Sequence, residues 1–354
     1  SSNNTVYADA EGNIAYFHGN FIPKRDTNFN YRQPVDGSNP KTDWQGLHEV
    51  DEHITLLNPE NGWLQNCNST PFTAAAEFSP KAEDYPNYMS LNRENYRGVH
   101  AIDLLSNQKD YTLDSVIEMA HDPFLPAFDV LIPGLVSAYD KIDKTKELGA
   151  VFEYLRNWDY KTSKESVAMT LAHYYGMNVM RNGKRPSPMN SMELFEYFGS
   201  ETSPNDEKLE LFKNTLNYLV KTFGTWNLPW GDVNRYQRLN SDIKQKFDDN
   251  KPSIPVGFAS GRWGALAAYG VSYANPEAKK IYGTRGNSFV AVVEFGDKIK
   301  AKSMLAGGQS SDVNSPHFND QAQRYVDMEF KDVPYYREDV LKRAKKNYKP
   351  GKEK

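Results

Sequence analysis

Gly286-Asn287-Ser288-Phe289-Val290-Ala291-Val292-Val293-Glu294-Phe295-Gly296 is the stretch on which the reading of this 354-residue chain turns. With a side-chain period of two, Phe289, Ala291, Val293 and Phe295 share one face, and Val290 and Val292 fill the other. Apolar residues on both faces predict a buried strand sandwiched between layers. Residues 254–258 form a second strand-like run nearby. At the opposite end, residues 6–9 and 14–18 flank the turn signal Glu11-Gly12-Asn13 and predict a hairpin. Pro23, Pro34, Gly37, Pro40 and Gly46 predict a long loop, and residues 53–57 predict a strand ended by Asn58-Pro59-Glu60-Asn61-Gly62. The extended piece Trp63-Leu64-Gln65-Asn66-Cys67-Asn68-Ser69-Thr70-Pro71 follows, unusually dense in side-chain amides. Between the two strand-rich ends, residues 110–225 read as helices. Leu148, Val151, Phe152 and Leu155 recur at helical spacing, as do Leu209, Phe212, Leu216, Leu219 and Phe223, and residues 163–180 are a third helix. Prolines at 123, 126, 133, 186, 188 and 204 are expected to divide these elements.

Composition narrows the function classes. Lysine plus arginine number 42 and aspartate plus glutamate 46, a net charge of −4 that offers no global cationic field for nucleic acid or anionic lipid. No apolar run approaches a membrane span. Cys67 is the sole cysteine, which excludes a disulfide framework. The basic residues from Lys342 onward read as a solvated end.

Several motifs fail on spacing. His48 and His53 are five apart, whereas a zinc helix needs four to put both rings on one face. Gly308-Gln309-Ser310-Ser311-Asp312 lacks the second glycine of a nucleophile elbow. Ser315, His317 and Asp320 are the members of a serine triad, yet residues this close along the chain rarely point at one another correctly, and a buried hydrogen-bonding corner is the better reading. Trp226-Asn227-Leu228-Pro229-Trp230-Gly231-Asp232-Val233-Asn234-Arg235 reads as a packed structural loop before a ligand platform.

Gly286-Asn287-Ser288-Phe289-Val290, Val292-Val293-Glu294-Phe295-Gly296, Gly308-Gln309-Ser310 and residues 315–321 resemble the C-terminal signature of the penicillin acylase family, which are N-terminal-nucleophile (Ntn) hydrolases. Residues 229–235 resemble the family's internal Trp-Gly segment. Residues 7–14 resemble a strand pair of its catalytic subunit, and residues 58–71 its oxyanion-hole segment. The resemblance implies an α+β chain forming part of a four-layer αββα sandwich with a helical insertion. It divides as core strands with the oxyanion segment over 1–105, a helical region over 106–250, and returning strands with a basic tail over 251–354. It implies an amide hydrolase made by autoproteolysis, in which an N-terminal serine attacks the amide and its own α-amine is the base. Substrates expected from it are β-lactam side chains, acyl-homoserine lactones or acyl peptides, in a periplasmic or secreted protein.

Carried over residue by residue, Asn68 matches the oxyanion-hole asparagine, and Arg97, in Asn95-Tyr96-Arg97-Gly98-Val99, stands where the family places a supporting arginine. No cofactor is required; some relatives hold a structural calcium, for which Glu83 and Asp84 are candidate ligands. In the family the serine lies far upstream of the Ala8-Asp9 segment, whereas here seven residues precede Ala8. The expected reading is therefore the C-terminal part of a large subunit, inactive alone, whose partners are the small subunit and the N-terminal part of the large one. Ser1, with a free amine, is the lesser alternative nucleophile. A non-catalytic binding or scaffold module that keeps the fold is the rival reading.

Overall fold

A computed structural model describes residues 3–19, 21–142, 146–272 and 277–349. The hairpin forms where its turn signal lies. Strand β1 (Thr5–Ala8) pairs antiparallel with β2 (Ile14–Phe17), and β2 pairs with β3 (Thr55–Leu57). Asn58, at φ 45°, turns the chain out of β3, and its Oδ1 accepts from the Ile14 amide.

Helices α1 (Tyr96–Asn107), α2 (Leu113–Ala120), α3 (Pro126–Asp140), α4 (Lys146–Arg156), α5 (Val167–Asn182), α6 (Ser191–Gly199) and α7 (Asn205–Phe223) form the body. The boundary expected at 105/106 falls inside α1. Five of the six prolines do punctuate the helices: Pro126 opens α3 and Pro204 precedes α7. Pro133 does not, and lies inside α3. One missing N–H there is offset by packing, because Leu131, Ile132 and Leu135 around it are fully buried. Helices α5 and α3 fill the core with Phe195, Phe198 and Phe212, and Tyr139 stacks on Phe152 with centroids 3.9 Å apart.

Helix α3 crosses α6 at Gly134. A Cβ there would lie 2.6 Å from the carbonyl oxygen of Phe198, a backbone atom that cannot swing away. Gly134→Ala is therefore expected to cost about 1–3 kcal/mol by forcing the two helices apart. A thermal midpoint equal to that of the parent protein would refute the close-approach argument.

After a short helix α8 (Trp230–Val233), β4 (Asn234–Tyr236) pairs with β5 (Ile254–Pro255) and, in parallel, with β7 (Ile281–Gly286), which takes β6 (Tyr269–Ser272) on its other side. A third sheet has the order β10 (Lys331–Asp332), β9 (Lys300–Leu305), β8 (Phe289–Glu294). Among the described residues no strand pairing joins the N-terminal sheet to these two. Trp230 is buried and its Nε1 donates to the Phe258 carbonyl, so this loop is structural.

Strand β8 corrects the opening expectation. It is an edge strand covered on one face only, with α2 packed against it and Val290 against the core. The other face is open, with Phe289 63% and Val293 45% exposed. Apolar composition on two faces reports what a strand can bury, and here one layer is present to bury it. The corner at 315–320 is corrected too. His317 Nδ1 meets Asp320 at 2.9 Å, but both side chains are well exposed on a surface turn, and only Phe318 is buried.

Candidate active site

The amide-rich piece folds into a tight turn rather than a strand. Each amide in it has a job. Gln65, buried, accepts from the Cys67 amide at 2.8 Å through Oε1, and its Nε2 donates to Ser69 Oγ. Asn66 Oδ1 accepts from the Asn68 amide at 3.2 Å. These bonds bend the chain until Asn68 stands at φ 55°, a left-handed conformation that asparagine tolerates better than most residues but that still costs energy. Thr70 then caps the 3-10 turn Pro71–Thr73.

Helix α1 approaches this turn end-on. Asn95 is its N-cap: Oδ1 accepts from the Arg97 and Gly98 amides, while Nδ2 reaches back to the Cys67 carbonyl at 3.1 Å. Glu94 accepts from the Asn95 amide and from Thr73 Oγ1, tying the helix to both sides of the turn. The approach needs Gly98, because a Cβ there would stand 2.8 Å from Ser69 Oγ and 3.0 Å from Ser69 Cβ.

Arg97 completes the arrangement. Its Nη2 donates to the Cys67 carbonyl at 2.7 Å and to Asn68 Oδ1 at 3.0 Å. Guanidinium has no acceptor, so the Asn68 atom facing it must be the carboxamide oxygen, and the Nδ2 donor is turned away from the arginine. Among the described residues nothing accepts from that Nδ2, and Asn68 is exposed. The stem of Arg97 lies on the turn Gly261–Trp263, where a Cβ at Gly261 would come within 2.8 Å of Arg97 Cδ. His100, three residues on in α1, holds that turn in place through Nδ1, 2.9 Å from the Gly264 carbonyl, and its Nε2 faces Asp122 at 3.2 Å. Burial pushes the neighbouring Cys67 thiol above its usual range, which keeps it neutral and leaves its carbonyl, not its sulfur, as the part engaged by the site.

The two site residues expected from sequence, Asn68 and Arg97, are thus brought together from positions 29 apart. The residues that aim them, Asn66, Asn95, Glu94 and Gly98, were not singled out beforehand. The density of amides over residues 63–71 was the one trace of Asn66 in the sequence, and Asn95 and Gly98 stood there only as neighbours of Arg97. Ser1 lies outside the described residues. Glu83 and Asp84 sit on the exposed 3-10 turn Ala82–Asp84, and among the described residues no three His, Cys, Asp or Glu side chains gather as a metal cluster. A cleft of about 920 Å³ lies elsewhere, beside Arg238, Lys244 and Arg285. A smaller cavity of about 340 Å³ adjoins Arg97 and is lined also by Asn95, Asn190, Met192 and Arg262. No helix among the described residues is long and apolar enough to cross a membrane.

The chain is 38% identical over 68 residues to penicillin G acylase of Escherichia coli, a stretch that covers 19% of this chain and 8% of that protein. Its fold matches a thermostable penicillin G acylase from Alcaligenes faecalis with a TM-score of 0.59 at 17% identity, over 98% of this chain and 67% of the other. The sequence pattern of the penicillin amidase family matches residues 1–342. The chain, a mixed α+β structure built on the same fold as that acylase, belongs to the penicillin amidase family.

Proposed function

We propose that this chain supplies the oxyanion-stabilising side of an N-terminal-nucleophile amide hydrolase. The observation that carries the proposal is the hold of Arg97 on Asn68 Oδ1, which leaves a strained, exposed asparagine presenting a hydrogen-bond donor. A hydrolase needs such a donor where negative charge develops on the carbonyl oxygen, and it works best when fixed beforehand.

The nucleophile comes from family sequence outside this chain, a serine exposed by self-cleavage. Its α-amine, titrating at about 7.7–8.0 in model compounds, is sufficiently neutral at working pH to take the hydroxyl proton. The serine oxygen attacks the amide carbon, and Asn68 Nδ2 donates to the resulting oxyanion. The C–N bond breaks as the amine leaves with a proton, and water then attacks the ester to release a carboxylic acid and restore the serine. The assembled protein is a four-layer αββα sandwich that includes the small subunit and the rest of the large one, and it works in the periplasm or outside the cell. Its substrate is an acyl amide: a β-lactam side chain, an acyl-homoserine lactone or an acyl peptide.

The test is to express the full natural reading frame, take an intact mass, and assay release of amine from a panel of those three classes. Cleavage to a large subunit beginning with serine, with turnover of at least one class, is the expected result. An uncleaved, inactive product would replace this reading with the scaffold one.

A further inference from the structure

We propose that Asn66 is a positioning residue for the oxyanion donor, and that Asn4 in turn positions Asn66. The proposal rests on the functional reading above and adds to it two residues that touch no substrate. Its basis is a chain of amides. The Gly19 amide donates to Asn4 Oδ1 at 3.0 Å, and Asn4 Nδ2 donates to Asn66 Oδ1 at 3.1 Å. The same Asn66 oxygen accepts from the Asn68 amide. One acceptor with two lone pairs is therefore filled by two donors, one from a segment 62 residues away and one from the residue whose side chain does the chemistry.

The connection matters because Asn68 is held in a conformation it would leave if released. Three residues fix the turn at this point through four bonds: Asn66 on the Asn68 amide, Asn95 on the Cys67 carbonyl, and Arg97 on the Cys67 carbonyl and Asn68 side chain. The last two hold the carbonyl of residue 67 and the carboxamide. Only the Asn66 bond holds the amide of residue 68, which sets φ at the strained residue. Without it, the planar peptide joining 67 and 68 is held only at its oxygen end, by Asn95 and Arg97, and can pivot about that oxygen, which carries Nδ2 off its line. Asn4 prevents the same drift one step back, because it occupies the second lone pair of Asn66 and is itself anchored to the backbone beside β2.

Displacing a catalytic group by about 1 Å can cost on the order of a hundredfold in rate. In the product of the full reading frame, Asn66→Ala is expected to lower kcat by about ten- to a hundredfold with KM within about threefold, because the oxyanion contact is made in the transition state. Asn66→Ser, whose hydroxyl can accept from the same amide, recovers most of the loss. Asn4→Ala causes a smaller fall, and the double variant Asn4→Ala/Asn66→Ala is no worse than Asn66→Ala, as members of one chain should be. Wild-type kcat in Asn66→Ala, or full additivity in the double variant, would overturn the proposal.

A crystal structure of Asn66→Ala separates this inference from the acylase reading. If the parent protein turns over no amide, the acylase reading fails, yet the relay still predicts that Asn68 leaves positive φ in the variant. Asn68 unchanged in that structure, with φ still near 55° and Arg97 still on Oδ1, would sink the relay whatever the activity.

Discussion

Asn68→Ala, made in the protein expressed from the full natural reading frame, is expected to lower kcat by about 10²–10³, or about 2.7–4 kcal/mol of transition-state stabilisation. Folding should be little affected, since Asn68 is exposed and fills no part of the core. Alanine at φ 55° would still carry a left-handed strain of about 1–2 kcal/mol, so Asn68→Gly is the cleaner deletion, removing the donor while suiting the backbone. Asn68→Asp is the decisive companion. It keeps an oxygen for Arg97 to hold, and with it the turn, but puts a carboxylate oxygen where Nδ2 was. A developing oxyanion would then meet a negative charge in place of a donor, and the loss should equal or exceed that of alanine. If Asn68→Asp instead kept near-parental kcat, the contribution of Asn68 would be to the turn alone. The acylase would need another donor.

How much of this was visible in sequence depends on the range of the interaction that carries it. The hairpin around Gly12 and helices α4 and α7 were legible because their information is local: a turn residue at positive φ, or a repeat of apolar residues at helical spacing. Helix α3 was obscured by Pro133, whose local penalty is outweighed by burial that only the tertiary structure reveals. Strand β8 misled in the opposite sense. Its pattern states what both faces prefer, not whether a second layer stands there, and Phe289 and Val293 remain open. At the site, the resemblance supplied Asn68 and Arg97, and the structure brings them within 3.0 Å. Asn4 and Gly98 could not be read beforehand. Asparagine at a strand entry and glycine in a helix each have a commonplace local meaning, and what they do here depends on partners 62 and 29 residues distant, Asn66 and Ser69.

A second large effect belongs to the core that carries α1 and its neighbours. His173 on α5 is 2% exposed, and its Nδ1 accepts from Trp263 Nε1 at 3.1 Å. An indole N–H can only donate, so Nδ1 carries a lone pair and the ring is neutral. Burial among Trp263, Trp230 and Tyr174, with the charges of Arg262 and Arg181 adding to it, lowers its pKa from 6.5 to about 3. The unfolded chain therefore binds this proton more readily than the folded one. The stability concerned is fully present above about pH 6.5, begins to fall below it, and is lost by about pH 3, where both states are protonated. At about 1.4 kcal/mol per tenfold in proton affinity, the loss across that window is about 5 kcal/mol. Lowered values at His18 and His121, also from burial, act in the same direction, so the parent protein's slope alone does not isolate the residue. His173→Asn does. Its Oδ1 can accept from Trp263 in place of Nδ1 and does not titrate, at the cost of a cavity that lowers stability by a constant amount at every pH. Urea midpoints measured from pH 8 to pH 4 should therefore converge, with the variant weaker at pH 8 and equal to or stronger than the parent by pH 4. Parallel curves would mean that the buried imidazole is not what makes this core sensitive to acid.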